Sequence, residues 1–516
     1  MINEILYGAY ARIAIKEGVD KVVDAVKVTL GPAGRCVVIS HAEPSPNGMM
    51  YWPLHVTKDG VTVARSIDLS GLHRIGGKFV KEAAQKTMDQ SGDGTTTCCV
   101  LLQAMVERGM IAISNGSNPI SVKTYIEEIV VDVVAELIKL AIPVGGNNDT
   151  IRQVATVSSN NDMVLGGLIA DAFKQIGDDG VVTIEESATT ETYIKVIDGY
   201  DFDRGYITPA FINNSARQEC ILHDVNVLLY DKKIAKMSHF GDWLMEAMKE
   251  PLLIICDDME GEALATFAMN TRNQAIKSCV VKAPMFGEAR REAMEDIAAF
   301  TGATYISDEK GSSLQKMKLS QLGKCNKVII SKERTVLIGG KGDTEDLLND
   351  LRMNETEVDG QEKEAIQARI AKLTGGVAVL YVGAATETEM KEKKDRADDA
   401  VRATKAAISE GIVPGAGTAY IRCLKKLDLP GFMQDVLVTP LYQICMNAGV
   451  GDINMVYSNV FIATGNYGYN AKTDTVEDLV EAGIIDPVKV LRCALQNAAS
   501  SAIMILTSET LIANCV

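Results

Sequence analysis

The spacing of apolar positions divides the chain into three regions of different secondary structure. Apolar residues recur at helical intervals in the first third and predict helices over 7–29, 72–90, 95–114 and 119–141. From about residue 181, short β-rich runs such as VVTIEE and PLLIIC alternate with helical stretches, which indicates an α/β region. From 385 onward the pattern is helical again. The chain is therefore predicted to be helix-rich, then α/β, then helix-rich.

Three local signals refine this outline. Pro, Asn and Gly between β-branched residues predict a long hairpin arm at 41–56. Asn118 followed by Pro119 is a helix-start signal, because Asn caps free N–H groups and Pro fits the first helical position. The highly charged segment 341–373 has helical spacing and predicts a solvated pair of helices.

Composition and charge narrow the class of protein. With 516 residues, 47% of them hydrophobic, the chain is long enough for about three globular domains. A net charge of −16 argues against a nucleic-acid partner, whose phosphates require basic patches. We find no apolar stretch near the ~20 residues that span a bilayer and no signal-peptide pattern at the start. Eleven scattered Cys residues without a C-x-x-C pair favour reduced thiols in a cytoplasmic protein.

Glycine-rich turns at helix starts are the first candidates for chemistry. Neither G-x-x-x-x-G-K-[ST] nor G-x-G-x-x-G occurs, but TLGPAG (29–34), SGDGTTT (91–97) and PGAG (414–417) do. A helix N-terminus has unpaired N–H groups and favours anions such as phosphate. Asp93 repels a phosphate but suits Mg²⁺, which prefers carboxylate oxygen. Helix capping is the competing interpretation, and the stretch alone does not separate the two.

Several Asp residues are candidates for activating water or holding a metal. Asp398 and Asp399 lie within a charged helical stretch, and a solvated face is the usual explanation of such a run. Asp399, however, lies beside the apolar stripe of that helix. Asp59 in TKDG and Asp486 in IIDP also fit ordinary turns.

Taken together, these segments resemble the group I chaperonins, the bacterial GroEL-like family. The stretches that carry the resemblance are AVKVTLGPAGR, TKDGVTVAR, SGDGTTT, FDRGYITP, PLLIICDDMEGEALAT, KLTGGVAVLYVGAATETEMKEKK, EGIVPGAGTA, GNYGYNA and GIIDPVKV. They follow the family's order over nearly the whole chain, and GDGTTT and VGAATETEMKEKK are the specific ones.

The resemblance implies a multidomain α+β fold of three domains. A mostly helical equatorial ATPase domain would comprise 1–140 and 410–516. A small α/β intermediate domain would comprise 141–198 and 377–409, and an α/β apical domain 199–376. The family also implies an ATP-driven chaperone that assembles as a homo-oligomeric ring, most often a heptamer.

The resemblance further implies a nucleotide site with ATP, Mg²⁺ and, as an additional cation, K⁺. Asp399 and Asp59 match its catalytic positions, and Asp93 matches the metal ligand. The remaining nucleotide-binding positions are Thr29, Leu30, Gly31, Pro32, Lys58, Asp93, Gly94, Thr95, Thr96, Thr97, Gly415, Asn470, Ala471 and Asp486.

Client binding is implied for an apolar surface of the apical domain, where unfolded or misfolded proteins would bind. Its residues are Tyr206, Phe211, Leu244, Leu264, Ala268 and Met269. Ala210 stands where the family has an aromatic residue and Gly241 where it has leucine, so a cochaperonin partner stays an open question. PGAG also replaces a triple glycine, and the arm at 41–56 is longer than usual.

Two other functions remain open from the sequence. The first is a chaperonin-like holdase or scaffold with weak or no ATPase cycling. It is suggested by Ala33, which stands where the family usually has lysine after the proline, and by Ala416, which interrupts the family's triple glycine. The second is a catalytic α/β segment in which Asp257 and Asp258, at the end of the strand PLLIIC, bind a metal.

Overall fold

The structure is a computed structural model of the chain. It describes residues 2–515 except 41–42, 45–49, 52–53, 145–147, 160–161, 178–179, 188, 216, 308–312, 358–360 and 430.

Helices make up most of both ends of the chain. In the described part the α-helices are α1 (Gly8–Val26), α2 (Gly60–Ser66), α3 (His73–Ser91), α4 (Thr95–Ser114), α5 (Pro119–Leu140), α6 (Asn148–Ser158), α7 (Met163–Ile176), α8 (Trp243–Ala247), α9 (Gly261–Arg272), α10 (Gly287–Thr301), α11 (Glu345–Glu357), α12 (Gln361–Thr374), α13 (Glu387–Glu410), α14 (Thr418–Leu427), α15 (Met433–Ala448), α16 (Ile453–Ile462) and α17 (Val488–Thr507).

Strands concentrate in the middle of the chain. Those described are β1 (Ile2–Tyr7), β2 (Val37–Ser40), β3 (Glu43–Pro44), β4 (Met50–Tyr51), β5 (Leu54–Thr57), β6 (Val181–Glu186), β7 (Tyr193–Phe202), β8 (Cys220–Tyr230), β9 (Lys233–Ile234), β10 (Leu252–Cys256), β11 (Asp258–Met259), β12 (Ser278–Lys282), β13 (Tyr305–Ile306), β14 (Gly323–Ile330), β15 (Thr335–Gly340), β16 (Gly376–Val382), β17 (Ile412–Pro414), β18 (Tyr467–Asn470), β19 (Thr475–Asp478), β20 (Ile485–Pro487) and β21 (Thr510–Cys515).

The chain forms two compact units. The first comprises residues 1–174, 184–193 and 381–516, and the second comprises 175–183 and 194–380. Chain ends that are far apart in sequence thus share the first unit. The three-domain boundaries given above stay a prediction.

The first unit is a helical assembly around one apolar core. Helix α17 packs against α3, α4 and α5, and α1 packs against α3 and α4. Small residues allow close approach: a Cβ on Gly76 of α3 would be 2.9 Å from the backbone nitrogen of Val19 in α1. Strand β1 pairs antiparallel with β21, so that Ile2 lies opposite Cys515 and Tyr7 opposite Thr510. The two ends of the chain are therefore tied together.

Two helices of this unit, α4 and α17, are long and apolar enough to cross a membrane by length and composition. This corrects the sequence-based statement that no apolar stretch approaches that length. Half of the α4 window (50%) and 67% of the α17 window are buried within the fold. The two helices pack against each other, as interior helices of a globular unit do.

The second unit is built on a mixed sheet. The strands of this sheet that lie in the second unit include β12-β10-β8-β14-β15-β7, in that order, with β13 beside β8. Strands β8, β10, β12 and β13 run parallel, whereas β14 is antiparallel to both β8 and β15. All five residues of β10 are buried, as expected for a strand covered on both faces.

The predicted elements agree closely with these bounds. The helices expected over 72–90, 95–114 and 119–141 are α3, α4 and α5, and Asn118 caps α5 by accepting from the N–H of Ile120 at 2.8 Å. The charged segment 341–373 contains α11 and α12. Of the predicted arm at 41–56, strands β3, β4 and the start of β5 are seen, and 41–42, 45–49 and 52–53 lie outside the described residues. The hairpin β14–β15 was not predicted.

Candidate functional site

Two glycines shape the turn between α3 and α4. Gly92 ends α3 with φ 74°, and Gly94 precedes α4 with φ 84°, both in the left-handed region that side chains disfavour. Between them, Asp93 accepts a hydrogen bond from the N–H of Gly94 at 2.6 Å. Ser91 donates to the carbonyl of Asp93 at 3.0 Å and fixes the turn. The segment 91–97 is called the Thr loop below.

The start of α4 presents free hydrogen-bond donors. The first bond from this helix back to its N-cap runs from the N–H of Cys98 to the carbonyl of Gly94, at 2.9 Å. The N–H groups of Thr95, Thr96 and Thr97 precede that bond, and their side chains add hydroxyls. A helix N-terminus of this kind attracts an anion through its N–H groups and its partial positive charge.

A second loop, residues 29–34, lies beside the Thr loop. The Thr29 hydroxyl donates to the carbonyl of Val26 at 2.8 Å and is 3.4 Å from the Thr96 hydroxyl. Asn447 of α15 donates to the carbonyl of Leu30 at 2.8 Å and holds this loop from the other side. Gly31 (φ 83°) and Pro32 are exposed. Asn447 was missed in the sequence; its only signal is a polar residue near the end of an apolar helix.

The TKDG segment, residues 57–60, also lies beside the Thr loop. Asp59 caps α2: its carboxylate accepts from the N–H groups of Val61 at 3.1 Å and Thr62 at 2.9 Å. Gly60 lies against the Thr loop, because a Cβ there would be 3.0 Å from the Thr95 hydroxyl and would collide with that of Thr96. Lys58 is exposed. Asp59, which the sequence offered as an ordinary turn residue, therefore caps a helix and also lies near the Thr loop.

Helix α13 brings Asp399 to the Thr loop. The neighbours of Asp399 on this helix, Ala397 and Ala400, are fully buried, so Asp399 borders the buried face. Arg402, one turn further on, packs directly on Gly92, since a Cβ on Gly92 would be 2.7 Å from Cδ of Arg402. Asp398 forms an ion pair with Arg402 at 3.1 Å. The sequence did not identify Arg402 or its contact with Gly92.

The carboxylates at this place interact strongly. Burial, followed by the charges of Asp93 and Asp59, raises the pKa of Asp399 well above its ordinary value. Burial and the charge of Asp59 also raise the pKa of Asp93, against the hydrogen bond from Gly94. Burial and the charge of Asp93 raise the pKa of Asp486 to about 7. Four carboxylates far apart in the sequence are thus close enough to repel one another, and a cation relieves that repulsion.

The PGAG turn contacts one of these carboxylates. Strand β17 pairs with β20 so that Val413 lies opposite Asp486, and a Cβ on Gly415 would be 3.3 Å from the Asp486 carboxyl carbon. Ala416 has φ 54°, an unusual value for a residue with a side chain. The hydroxyl of Thr418, at the start of α14, is buried with no hydrogen-bond partner in the described part of the chain.

Asn470 and Ala471 are less directly connected to the site. Asn470 is buried at the end of β18, where it donates to Glu477 at 2.5 Å and accepts from the N–H of Lys472 at 2.9 Å. Its hairpin reaches α14 at Gly468, where a Cβ would be 3.0 Å from the methyl carbon of Thr418. No described contact joins Asn470 or Ala471 to the four carboxylates.

The candidate client-binding residues, all in the second unit, divide into two groups. Phe211 is 0% exposed and Leu244 is 4% exposed, so both fill the core of this unit instead of forming a surface. Tyr206, Leu264 and Ala268 are half-buried. Met269 on α9 is 66% exposed.

Both carboxylates of the alternative metal site, Asp257 and Asp258, form ion pairs. The Asp257 carboxylate forms an ion pair with Arg290 at 2.6 Å, and Asp258 forms one with Lys282 at 3.0 Å. Each negative charge has a neighbouring cation, which disfavours a metal ion at this place.

The first-unit site suits a phosphate compound with a divalent cation better than a metal alone. Within the described ranges, no three His, Cys, Asp or Glu side chains are grouped so that they could hold a metal ion. Mg²⁺ characteristically binds through one or two carboxylates and completes its shell with phosphate oxygens and water. The free N–H groups of α4, the open glycine backbone and Asp93 fit that combination.

The chain belongs to the TCP-1/cpn60 chaperonin family. The model of that family matches residues 22–241 and 248–515, almost the whole chain. The family resemblance found in the sequence is confirmed, and so is the multidomain chaperonin fold class.

A solved structure shows the same fold. The chaperonin gp146 from the bacteriophage EL 2 (Pseudomonas aeruginosa), crystallised in the presence of ATP-BeFx, superposes with a TM-score of 0.66. The two sequences are 22% identical, and the match covers 99% of this chain and 99% of that one. At this identity the match establishes the shared fold.

Proposed function

We propose that this chaperonin hydrolyses ATP and uses the cycle to bind and release non-native proteins. The observation that carries the proposal is the convergence of the 29–34 loop, Asp59, the Thr loop and Asp399 in one place. Free N–H groups for phosphates, a carboxylate for Mg²⁺ and a second carboxylate on another helix are the parts that phosphoryl transfer to water requires.

Each residue has a role that follows from its position. The 29–34 loop and Thr95, Thr96 and Thr97 bind the phosphates, and Asp93 is the ligand for Mg²⁺, which supplies charge neutralisation when bound. Asp399 orients the attacking water and accepts its proton. Burial, followed by the charges of Asp93 and Asp59, raises the pKa of Asp399 above its ordinary value, which makes it a stronger base than an exposed carboxylate.

We place the ribose and adenine of ATP on the side of the site that faces α14. Gly415 and Asp486 form the wall of the site there, beside the PGAG turn. Asn470 and Ala471 contribute through the β18–β19 hairpin. Lys58 and Asp59 close the site from the α2 side, with Asp59 holding the backbone rather than reacting.

The client surface belongs to the apical region, with Met269, Leu264, Ala268 and Tyr206 as its contact residues. Exposed apolar side chains bind unfolded chains with little sequence preference, since burial stabilises them by about 25 cal/mol per Å² whatever the order of residues. Phe211 and Leu244 support this surface from the core. We propose a cytoplasmic homo-oligomeric ring with the three domains predicted above; K⁺ and a cochaperonin remain optional partners.

A direct test compares the wild type with Asp399→Ala. The purified wild-type protein should hydrolyse ATP in a Mg²⁺-dependent reaction. Asp399→Ala should lose about 10²–10⁴-fold in kcat, the usual contribution of a positioned base, while still binding nucleotide. Turnover of Asp399→Ala at the wild-type rate would overturn the assignment.

A second candidate function is a holdase without productive cycling. The observation that favours it is Ala416, held at φ 54° where glycine would be unstrained. If the strained turn weakens nucleotide binding, the protein would capture clients but turn over ATP slowly. Steady-state ATPase measurements on the wild type distinguish the two candidates.

A further inference from the structure

We propose that Arg402 is a positioning residue of this ATPase site: it holds the turn of α13 that carries Asp399 against the Thr loop. The inference rests on the proposed hydrolysis of ATP and deepens it. Arg402 contacts the Thr loop, and we assign it no contact with the phosphates of ATP.

The first observation is the packing of the Arg402 stem. A Cβ on Gly92 would collide with Cβ of Arg402 and would be 2.9 Å from Cγ and 2.7 Å from Cδ. The aliphatic stem of Arg402 thus lies where a side chain of residue 92 would otherwise be. Gly92 is one residue before Asp93, so this contact joins α13 directly to the loop that carries the metal ligand.

The second observation is the position of the guanidinium group. Nε of Arg402 lies 3.1 Å from Oδ2 of Asp398, and the two side chains are 32% and 20% exposed. Asp398 immediately precedes Asp399. Arg402 therefore contacts Gly92 through its stem and Asp398, the residue next to the proposed base, through its head.

The positive charge of Arg402 also favours the proposed position of Asp399. Asp93, Asp59 and Asp398 all repel a negative charge on Asp399, whereas Arg402 attracts it. A fixed cation at this point offsets part of the repulsion that would otherwise push the Asp399 turn away from the Thr loop. Arginine suits the place because its planar head is preorganised and always charged.

Positioning of this kind affects the rate more than binding. Placement errors of about 1 Å at a reacting group can lower a rate about 10²-fold. The phosphate contacts belong to α4 and the 29–34 loop, so nucleotide affinity should change little when Arg402 is altered. A merely structural ion pair within one helix would change neither quantity.

The test uses the full-length protein and a matched control on the same helix. Arg402→Met keeps most of the stem and removes the charged head, and Arg402→Lys restores a charge. The control is Arg396→Met, because Arg396 forms a comparable ion pair with Glu392, at 2.9 Å, one and a half turns earlier. Steady-state kcat and KM for ATP, and nucleotide affinity by calorimetry, are measured for each.

We expect Arg402→Met to lower kcat about tenfold or more with KM and affinity within about twofold of the wild type. Arg402→Lys should recover part of the loss, and Arg396→Met should match the wild type. Wild-type kcat in Arg402→Met, or equal losses in Arg402→Met and Arg396→Met, would overturn the inference.

A second variant tests the same inference if Arg402→Met does not fold. Asp398→Asn keeps the shape of the side chain and removes the charge partner of Arg402. It should also lower kcat at unchanged KM, and wild-type kcat in Asp398→Asn would contradict the role given to the ion pair. A wild-type protein without Mg²⁺-dependent hydrolysis refutes the proposed function and this inference with it, whereas an active wild type with an equally active Arg402→Met refutes this inference alone.

Discussion

The hydroxyl groups of Thr29 and Thr96 lie 3.4 Å apart although 67 residues separate them in the chain. The Thr29 hydroxyl donates to Val26, which leaves its oxygen as an acceptor facing Thr96. Two loops that the sequence offers as separate phosphate sites are therefore two walls of one site. The predictions below follow from how tightly that site is packed.

Gly60 should not tolerate a side chain. A Cβ there would meet the Thr95 and Thr96 hydroxyls, so Gly60→Ala must displace the start of α4. We expect a destabilisation of about 1–3 kcal/mol, as for other overpacked sites, and nucleotide affinity at least tenfold weaker. Calorimetric titration with a non-hydrolysable ATP analogue measures the affinity. Gly451→Ala is the control, because nothing lies within 4 Å of its Cβ position; equal affinities for the two variants would count against the packing argument.

Replacing Asp399 should stabilise the nucleotide-free protein. Its carboxylate is crowded by Asp93, Asp59 and Asp398, and an amide of the same shape removes that repulsion. We expect Asp399→Asn to melt at a higher temperature than the wild type without nucleotide, while its kcat falls. Thermal unfolding in Mg²⁺-free buffer is the measurement. A lower melting temperature would show that the carboxylate is needed for packing.

The stability of the nucleotide-free protein should depend on pH through Asp486. Its pKa rises from 3.8 to about 7 on folding, so the folded state binds the proton more tightly. This contribution is fully present below pH 3.8 and is lost as the pH rises to about 7.

Asp486→Asn removes this pH dependence. The free energy of unfolding of the variant should exceed that of the wild type by a larger margin at pH 8 than at pH 5. Urea unfolding of both proteins at the two pH values is the measurement. Parallel pH profiles for the two proteins would contradict the raised pKa.

Replacing Ala416 by glycine should make the folded protein more stable. Its φ of 54° lies in the left-handed region, which costs a residue with a side chain roughly 1 kcal/mol relative to glycine. Ala416→Gly should therefore raise the free energy of unfolding by about that amount, and Ala416→Val should lower it. Ala419→Gly, at the fully buried second residue of α14, should be destabilising and serves as the control. The strain argument fails if Ala416→Gly is the less stable protein.

Met269 should contribute to client capture without affecting hydrolysis. It is 66% exposed on α9, and burying a Met side chain is worth about 1.5–3 kcal/mol. Met269→Ser should weaken the binding of a chemically unfolded test protein about tenfold or more at unchanged kcat for ATP. Met455→Ser is the control, because Met455 is 62% exposed in the first unit. Equal losses in both variants would indicate non-specific adhesion.

Local sequence determined the helices and turns of this protein. Apolar periodicity and the Asn118–Pro119 start signal predicted α3, α4 and α5 nearly to the residue, because helix boundaries depend on neighbours within one or two turns. The glycines of SGDG were also correctly interpreted, since a left-handed turn is a property of a few consecutive residues. The family resemblance likewise needed only the order of motifs along the chain.

Tertiary structure alone decided which of those residues meet. Asp59, Asp93, Asp399 and Asp486 interact only because α2, α4, α13 and β20 pack around one core, and no spacing in the chain encodes that distance. Likewise the family resemblance implied that Phe211 and Leu244 belong to the client surface, but both are buried, because side-chain exposure depends on what the rest of the fold places against it. The contact of Arg402 with Gly92 is of the same kind: a missing side chain on one segment matters only when another segment fills its place.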